Sequence, residues 1–193
     1  MRVILCVSAV LLIAVLLSAQ DPGRGGPAAP PAPRPMTLAI PGFPDGGQIP
    51  VKFSQAAPGI APGEGMSPAM NWANVPAGTQ SFLLHMHDLD LARNKTTDDQ
   101  AHWVLWNVPA TATGLPEGVP KGSPLPDGAI RSAPRDPCTV VQEPARTVLY
   151  ALDTKLDVKP SADAFETRAN VMKAIQGHIL AKAVYGGLFR RPQ

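Results

Sequence analysis

The sequence predicts a mostly β domain, an all-β sandwich accompanied by one or two short helices. Proline (23) and glycine (17) together make up about a fifth of the 193 residues, well above ordinary usage, and so many turn residues favour short strands. Several brief runs rich in Val, Leu, Trp and Tyr have the composition of strands, and only one late stretch has helical spacing. This combination is typical of a β-sandwich.

The first 20 residues are predicted to be a signal peptide. Arg2 supplies a positive start, Val3–Leu17 is an uninterrupted run of apolar or small residues, and Ser18-Ala19-Gln20 offers small residues for cleavage. The apolar run is shorter than the roughly 20 residues that a membrane-spanning helix needs. We therefore expect cleavage and a periplasmic or secreted protein, with an uncleaved N-terminal anchor as the alternative.

Residues 21–35 (DPGRGGPAAPPAPRP) are predicted to form a Pro/Gly-rich linker, because they offer no apolar periodicity. Residues 36–193 then form the folded domain. Cleavage at the signal leaves Cys138 as the only cysteine, so the mature domain holds no internal disulfide. Cys138 is interpreted as a free thiol, an intermolecular bridge or, most simply, a small buried hydrophobic residue.

The predicted strands are short and separated by Gly/Pro turns. They are Thr37–Ile40, Val51–Phe53, Ser81–Met86, Trp103–Val108 and Arg146–Leu152, with a closing strand over Ile179–Val184.

One helix is predicted late in the chain. Ser161 is a candidate N-cap, with Asp163 in the first turn. Apolar residues then recur at three- and four-residue spacing, and Gly177 ends the helix. The periodic residues are Phe165, Ala169, Met172 and Ile175.

Charge and motifs exclude several functions. The net charge is only +2 and no Lys/Arg stripe is present, so nucleic acid is not expected as a partner. The sequence has no Gly-x-Ser-x-Gly elbow, no His-Glu-x-x-His, no phosphate loop and no dinucleotide fingerprint. We therefore expect a protein that is not an enzyme and uses no cofactor.

Five motifs occur in a fixed order along the domain. They are SPAMNW (67–72), HDLDLA (87–92), HWVLWN (102–107), LYALD (149–153) and GHILA (177–181). In this order they closely resemble the bacterial, Raf-kinase-inhibitor-like branch of the phosphatidylethanolamine-binding protein family. That family typically has SPxLxW, a DPDAP-like turn, His-Trp, LYALD and GHxLA. The resemblance covers about residues 36–190.

The resemblance implies two antiparallel sheets with Greek-key connections and a small anion pocket at one end. Members of the family bind phosphate-like headgroups, and some inhibit kinases or proteases. On matching positions, the pocket acids are Asp88 and Asp90, the pocket imidazole is His102, and Pro68 and Trp72 lie in the supporting wall.

The chemistry of these residues suits a ligand with both charges. A carboxylate does not attract an anion, but it accepts hydrogen bonds from a ligand ammonium group or orients His102 towards a phosphate. The alternative is that Asp88 and Asp90 only stabilise a tight turn, where Asp is common.

His85 and His87 form a His-x-His pair that places both imidazoles on one face of a strand. A zinc or manganese site that also uses Asp88, Asp90 and His102 is conceivable. Strand alternation turns Asp88 away from the two imidazoles, however, so no metal site is expected. Both histidines, like Cys138, are instead predicted to be packed or pocket-lining residues.

The sequence departs from the family pattern in two places. Leu89 replaces the usual Pro of the turn, and residues 129–147 are atypical. The family's His-Arg-Tyr trio falls there on Glu143, Pro144 and Ala145, so the second wall of the pocket is missing or rebuilt. Divergence to another ligand and a coding irregularity limited to this stretch are both open explanations.

Three functional hypotheses follow. The leading one is a non-catalytic binding module for a small anionic ligand or a phospholipid headgroup, with no membrane span after processing. The second is a protein-interaction module that inhibits a protease or kinase through surface loops, and a homodimer is compatible with either. The third is a metal-dependent hydrolase that uses His85, His87 and His102.

Overall fold

The computed structural model describes residues 34–54, 56–60, 65–90, 92, 95–120, 124–131 and 145–190. Within this part of the chain, nine strands, one 3-10 turn and one α-helix follow each other. In chain order they are β1 (Thr37–Ala39), β2 (Gly47–Gln48), the 3-10 turn (Val51–Phe53), β3 (Met70–Ala73), β4 (Ser81–Asp88), β5 (Gln100–Pro109), β6 (Gly114–Leu115), β7 (Ile130–Arg131), β8 (Ala145–Leu152), α1 (Ala164–Ala174) and β9 (Ile179–Leu188).

The strands form two sheets, which confirms the predicted β-sandwich. The small sheet has the order β1-β3-β6, and the large sheet has the order β2-β9-β8-β4-β5-β7. All pairings are antiparallel except that of β2 with β9. The strands predicted near residues 37, 81, 103, 146 and 179 are all present, and the closing strand extends four residues beyond the predicted end at Val184.

The large sheet has a hydrophobic core on each face. Phe82, Leu84 and Met86 of β4 face the small sheet, whereas Leu83 belongs to a second cluster with Val171 and other residues of α1. A strand covered on both faces becomes a nearly continuous apolar run, because neither side-chain set meets water. This explains why β4 has the sequence SFLLHMHD without polar alternation.

The predicted strand at Val51–Phe53 is wrong, because these residues form the 3-10 turn. The amide of Phe53 donates to the carbonyl of Pro50 (3.0 Å), and that of Ser54 donates to Val51 (2.9 Å). The Ser54 hydroxyl donates to the same Val51 carbonyl at 2.8 Å. Three residues after a proline satisfy these local bonds more readily than a sheet ladder.

The helix exists, but its cap and buried face differ from the prediction. The N-cap is Asp163, not Ser161: the Asp163 side chain accepts from the amide of Phe165 at 2.8 Å. The buried face consists of Thr167, Val171 and Ile175, and Ala169 is exposed. Gly177 follows the helix with a φ of 84°, as expected of a helix-ending glycine.

The predicted signal peptide (1–20), most of the predicted linker (21–35) and Cys138 lie outside the described residues. Among the residues that are described, no helix is long and apolar enough to cross a membrane.

Candidate functional site

An open concavity lies at the end of the large sheet where β4 stops and β8 starts. Strands of the large sheet contribute Met86, Ala145, Thr147, Tyr185 and Gly187 to its lining. Segments before β4 contribute Phe43, Ile49, Phe53 and Pro68. Most of these side chains are apolar, so the concavity favours a ligand with some apolar surface.

Gly187 allows two of the lining side chains to approach the sheet closely. A Cβ atom at this position would lie 2.5 Å from Ile49 and 2.6 Å from Phe43. Tyr185 fixes Phe43 from the other side, because its hydroxyl donates to the Phe43 carbonyl at 2.5 Å and the two rings meet edge to face. The wall formed by Phe43 and Ile49 is therefore held in place by β9.

Asp88 shares the face of the sheet that forms the concavity. It is the last residue of β4, two positions after Met86, and it pairs with Ala145 of β8, which lines the concavity. The Asp88 side chain is buried, with 2% exposure, and its Oδ1 accepts from the amide of Asp90 at 3.0 Å. Asp88 therefore stabilises the turn and lies beside the concavity, whereas Asp90 is exposed.

The two predicted wall residues have different positions. Pro68 is buried and lines the concavity. The segment before it is fixed by Ser67, whose hydroxyl accepts from the amide of Val119 at 2.8 Å. Trp72 lies deeper, between the sheets, where its indole donates to the Ala112 carbonyl at 2.8 Å and its ring packs against a neighbouring phenylalanine.

Ala145 occupies the position where the family pattern has the tyrosine of its His-Arg-Tyr trio. It is buried in the wall next to Asp88. Its methyl group is much smaller than the aromatic ring of that tyrosine. The other two positions of the trio, Glu143 and Pro144, lie outside the described residues.

His102 lies at an irregularity of β5. Trp103 pairs with Met86 and Ala101 pairs with His87, so His102 is an extra residue between two regular pairs. Its side chain is buried, with 5% exposure. A positive charge on His102 lowers the pKa of His85. His102 is therefore within electrostatic range of His85.

His85 and His87 lie on the face of the large sheet that is covered by α1, opposite to the concavity. Their rings stack with centroids 4.3 Å apart and an angle of 18° between planes. Nδ1 of His87 is 2.5 Å from Oδ2 of Asp99, and Arg168 of α1 holds the other carboxylate oxygen, Oδ1, at 2.5 Å. The structure thus brings the predicted pair together with two residues that the sequence analysis did not select.

The electrostatics of this cluster favour an uncharged His85. Burial, followed by the nearby His87, Arg168 and His102, lowers the pKa of His85 from 6.5 to about 2. Burial also raises the pKa of Tyr150, which is within electrostatic range of Arg168 and Asp99. His85 therefore remains a neutral imidazole over the physiological pH range.

The sequence contained only part of the information about this cluster. Asp99 follows His87 by twelve residues and reaches it because β4 and β5 are antiparallel neighbours. An acid just before the second strand of a predicted hairpin is a usable signal. No sequence signal indicated Arg168, because its position depends on how α1 packs against the sheet.

His178 directly follows Gly177, the glycine after α1. Its Nδ1 is 2.8 Å from Oδ1 of Asp153, and both side chains are nearly half exposed. This pair joins the end of β8 to the start of β9.

The fold and the concavity define a class of protein, a two-sheet β-sandwich with a mostly apolar concavity at one end of its large sheet. The family model described as phosphatidylethanolamine-binding protein matches residues 39–190. The chain therefore belongs to the phosphatidylethanolamine-binding protein family.

Known proteins place the chain among the bacterial and archaeal members. A UPF0098 protein of Methanothermobacter thermautotrophicus is 35% identical over 169 residues, which cover 81% of this chain and 99% of that protein. YbcL of Escherichia coli is 39% identical over 71 residues, 36% of this chain and 37% of that protein.

Two solved structures share the fold. A phosphatidylethanolamine-binding protein homologue from Chlamydia trachomatis superposes with a TM-score of 0.64 at 23% identity, over 82% of this chain and 99% of its own. The structure of E. coli YbcL gives a TM-score of 0.61 at 24% identity, with 81% and 99% coverage.

Proposed function

We propose that this protein is a non-catalytic binding module, exported from the cytoplasm, whose concavity takes the phosphate-ester headgroup of a small amphiphilic ligand. Asp88 supports this proposal most directly, because it is a buried carboxylate on the face of the sheet that forms the concavity. A carboxylate in this position accepts hydrogen bonds from a ligand ammonium group. A zwitterionic headgroup such as phosphoethanolamine supplies that group.

The lining of the concavity suits the rest of such a ligand. Phe43, Ile49 and Phe53 offer apolar contacts to a glycerol or acyl portion. The family model that matches the chain is described as phosphatidylethanolamine-binding protein, which supports this ligand class.

The first test is thermal unfolding of the full chain with increasing phosphoethanolamine. A ligand at about a hundred times its Kd adds about 2.7 kcal/mol to the free energy of unfolding. For a domain of this size, that raises Tm by roughly 5 to 10 °C. Inorganic phosphate is expected to give a smaller shift, because it offers Asp88 no ammonium group.

The matched variants are Asp88→Asn and Asp90→Asn. In Asp88→Asn, the amide oxygen of the new side chain still accepts from the main-chain amide of Asp90 and preserves the turn, but the charge that holds an ammonium group is lost. We expect Asp88→Asn to abolish the Tm shift and the exposed Asp90→Asn to retain it. An equal shift in both variants, or none in the unmodified protein, would rule out this site.

A protein-interaction module is the second candidate, and the surface of β9 favours it. Four large apolar side chains of this strand are 41 to 50% exposed, namely Ile179, Leu180, Val184 and Leu188. Such a row fits a protein partner, including a protease, a kinase or a second copy of this chain. Capture of a partner by Asp88→Asn but not by Val184→Asp would favour this function over the headgroup pocket.

A further inference from the structure

The cluster of His85, His87 and Asp99, called here the histidine cluster, has the dimensions of a metal site. One ligand atom from each residue lies within 4.8 Å of the others. Two nitrogen ligands of one zinc ion, each about 2.0–2.1 Å from it, are at most about 4.2 Å apart. Because the two imidazole rings are stacked at an angle of 18°, they must also rotate for their in-plane lone pairs to meet at one ion. The cluster lies on the α1 side of the large sheet, separate from the concavity.

Two ring nitrogens of the cluster have unsatisfied lone pairs or protons. Nε2 of His85 and Nε2 of His87 are both buried and have no hydrogen-bond partner. His85 is 2% exposed, so bulk water does not reach its ring. Buried polar atoms in folded proteins are almost always paired, because an unpaired one costs about 1–3 kcal/mol. Both Nε2 atoms are therefore available as ligands for an ion.

Asp99 orients one of the two rings for coordination. Its Oδ2 bonds Nδ1 of His87 at 2.5 Å, which places the ring proton on Nδ1 and leaves Nε2 with its lone pair. Histidines that ligate metals almost always donate their other ring N–H to a carboxylate, a backbone carbonyl or a water. Asp99 is such an acceptor for His87. Arg168 fixes the carboxylate in turn, through Oδ1 and through a bond to the main-chain oxygen of Asp99 at 3.0 Å.

We propose that His85 and His87 bind one divalent transition-metal ion of the zinc class through their Nε2 atoms, with Asp99 as the carboxylate that orients His87. Neutral imidazoles suit Zn²⁺, Ni²⁺ and Cu²⁺, whereas Mg²⁺ and Ca²⁺ require several oxygen ligands. Two protein ligands leave positions for water or an anion at the metal.

The test is calorimetric titration of the untagged full chain with Zn²⁺ and, separately, Mg²⁺. We expect saturable binding of one Zn²⁺ per chain and no binding of Mg²⁺. His87→Gln should weaken Zn²⁺ binding by more than about 100-fold, and Asp99→Asn by about 10- to 100-fold, the usual effect of an orienting carboxylate. Circular dichroism establishes that each variant is folded.

His178→Gln is the matched control. His178 also bonds an aspartate through Nδ1, at 2.8 Å, but it is exposed and has no second imidazole beside it in the structure described here. Zn²⁺ binding that survives His178→Gln and is lost in His87→Gln supports the site. Binding that is lost only in His178→Gln, or the absence of saturable Zn²⁺ binding, overturns it.

A second measurement needs no variant and therefore does not depend on folding of His87→Gln. The ¹⁵N resonances of the imidazole Nε2 atoms are followed in the unmodified protein as Zn²⁺ is added. Two histidines should shift together at one equivalent while His178 does not. Unchanged resonances would show that these nitrogens bind no ion, and the proposal would fail.

Discussion

At the scale of single residues, strand alternation separates the two candidate sites. Asp88 faces the concavity, while His85 and His87 face α1 on the opposite side of the same strand. The sequence analysis expected Asp88 to turn away from the imidazoles, and the structure has this arrangement. It also expected the histidines to be packed or to line the pocket. In the structure His85 is buried, His87 is partly buried, and both lie on the face opposite to the concavity. One strand thus serves two unrelated groups of polar residues.

Burial of His85 leads to a prediction about pH. Its pKa in the folded protein is about 2, below the 6.5 of an exposed histidine, with His87, Arg168 and His102 adding to the effect of burial. The unfolded chain therefore takes up the proton first, and this residue lowers stability progressively as pH falls from about 6.5 towards 2. The loss is at most about 1.4 kcal/mol per pH unit in that window.

The measurement is denaturant unfolding at several pH values between 7 and 4. We expect His85→Leu to lose less stability on acidification than the unmodified protein. Val104→Ala changes the residue that pairs with His85 and should lower stability while keeping the original pH slope. Equal slopes for His85→Leu and the unmodified protein would contradict the assignment.

At the scale of elements, local sequence determines where α1 exists but not its cap. Ser161 and Asp163 are both good N-cap residues, and they lie two positions apart. Ser161 instead donates to the Asp163 carbonyl at 2.8 Å, while Asp163 caps the amide of Phe165. The hydroxyl of Thr167, which is buried, accepts from the amide of Ser161 at 2.9 Å.

The cap can be tested by Asp163→Ala. Loss of an N-cap costs about 1 kcal/mol, because the amide of Phe165 loses its acceptor. In a domain of this size, we expect Tm to fall by about 2–4 °C. Asp157→Ala removes an identical side chain from an exposed position outside the helix and serves as the control. A similar loss from both substitutions would mean that charge, not capping, is responsible.

At the scale of the whole molecule, β4 is the central strand of the structure. It pairs with β5 along one edge and with β8 along the other, and a hydrophobic core covers each of its faces. Strand β9 pairs with β8, and among the described residues its other edge is paired only with the two residues of β2. Protection from unfolding is therefore expected to decrease from β4 towards β9.

Native-state hydrogen exchange measures this gradient. The amides of Leu84 and Leu149, at the centre of β4 and β8, should exchange only through global unfolding. Amides of β9 and α1 should exchange through smaller openings. Strand β9 lies near the edge of the sheet, and the helix is bound to the sheet by one small apolar cluster and by the Arg168–Asp99 pair. Equal protection of α1 and β4 would show that the molecule unfolds as one cooperative unit.

The sequence by itself determined the class of fold and most of its strands, because strand composition, turn residues and helical spacing act over a few neighbouring residues. It also determined the family, because five motifs occur along the chain in the same order as in the family. The tertiary structure alone decided that Val51–Phe53 form a turn, that Ala145 lies beside Asp88, and that Asp99 and Arg168 meet His87. These contacts join residues far apart in sequence, and they are set by the register of paired strands and by the packing of a helix on a sheet, which no local pattern encodes.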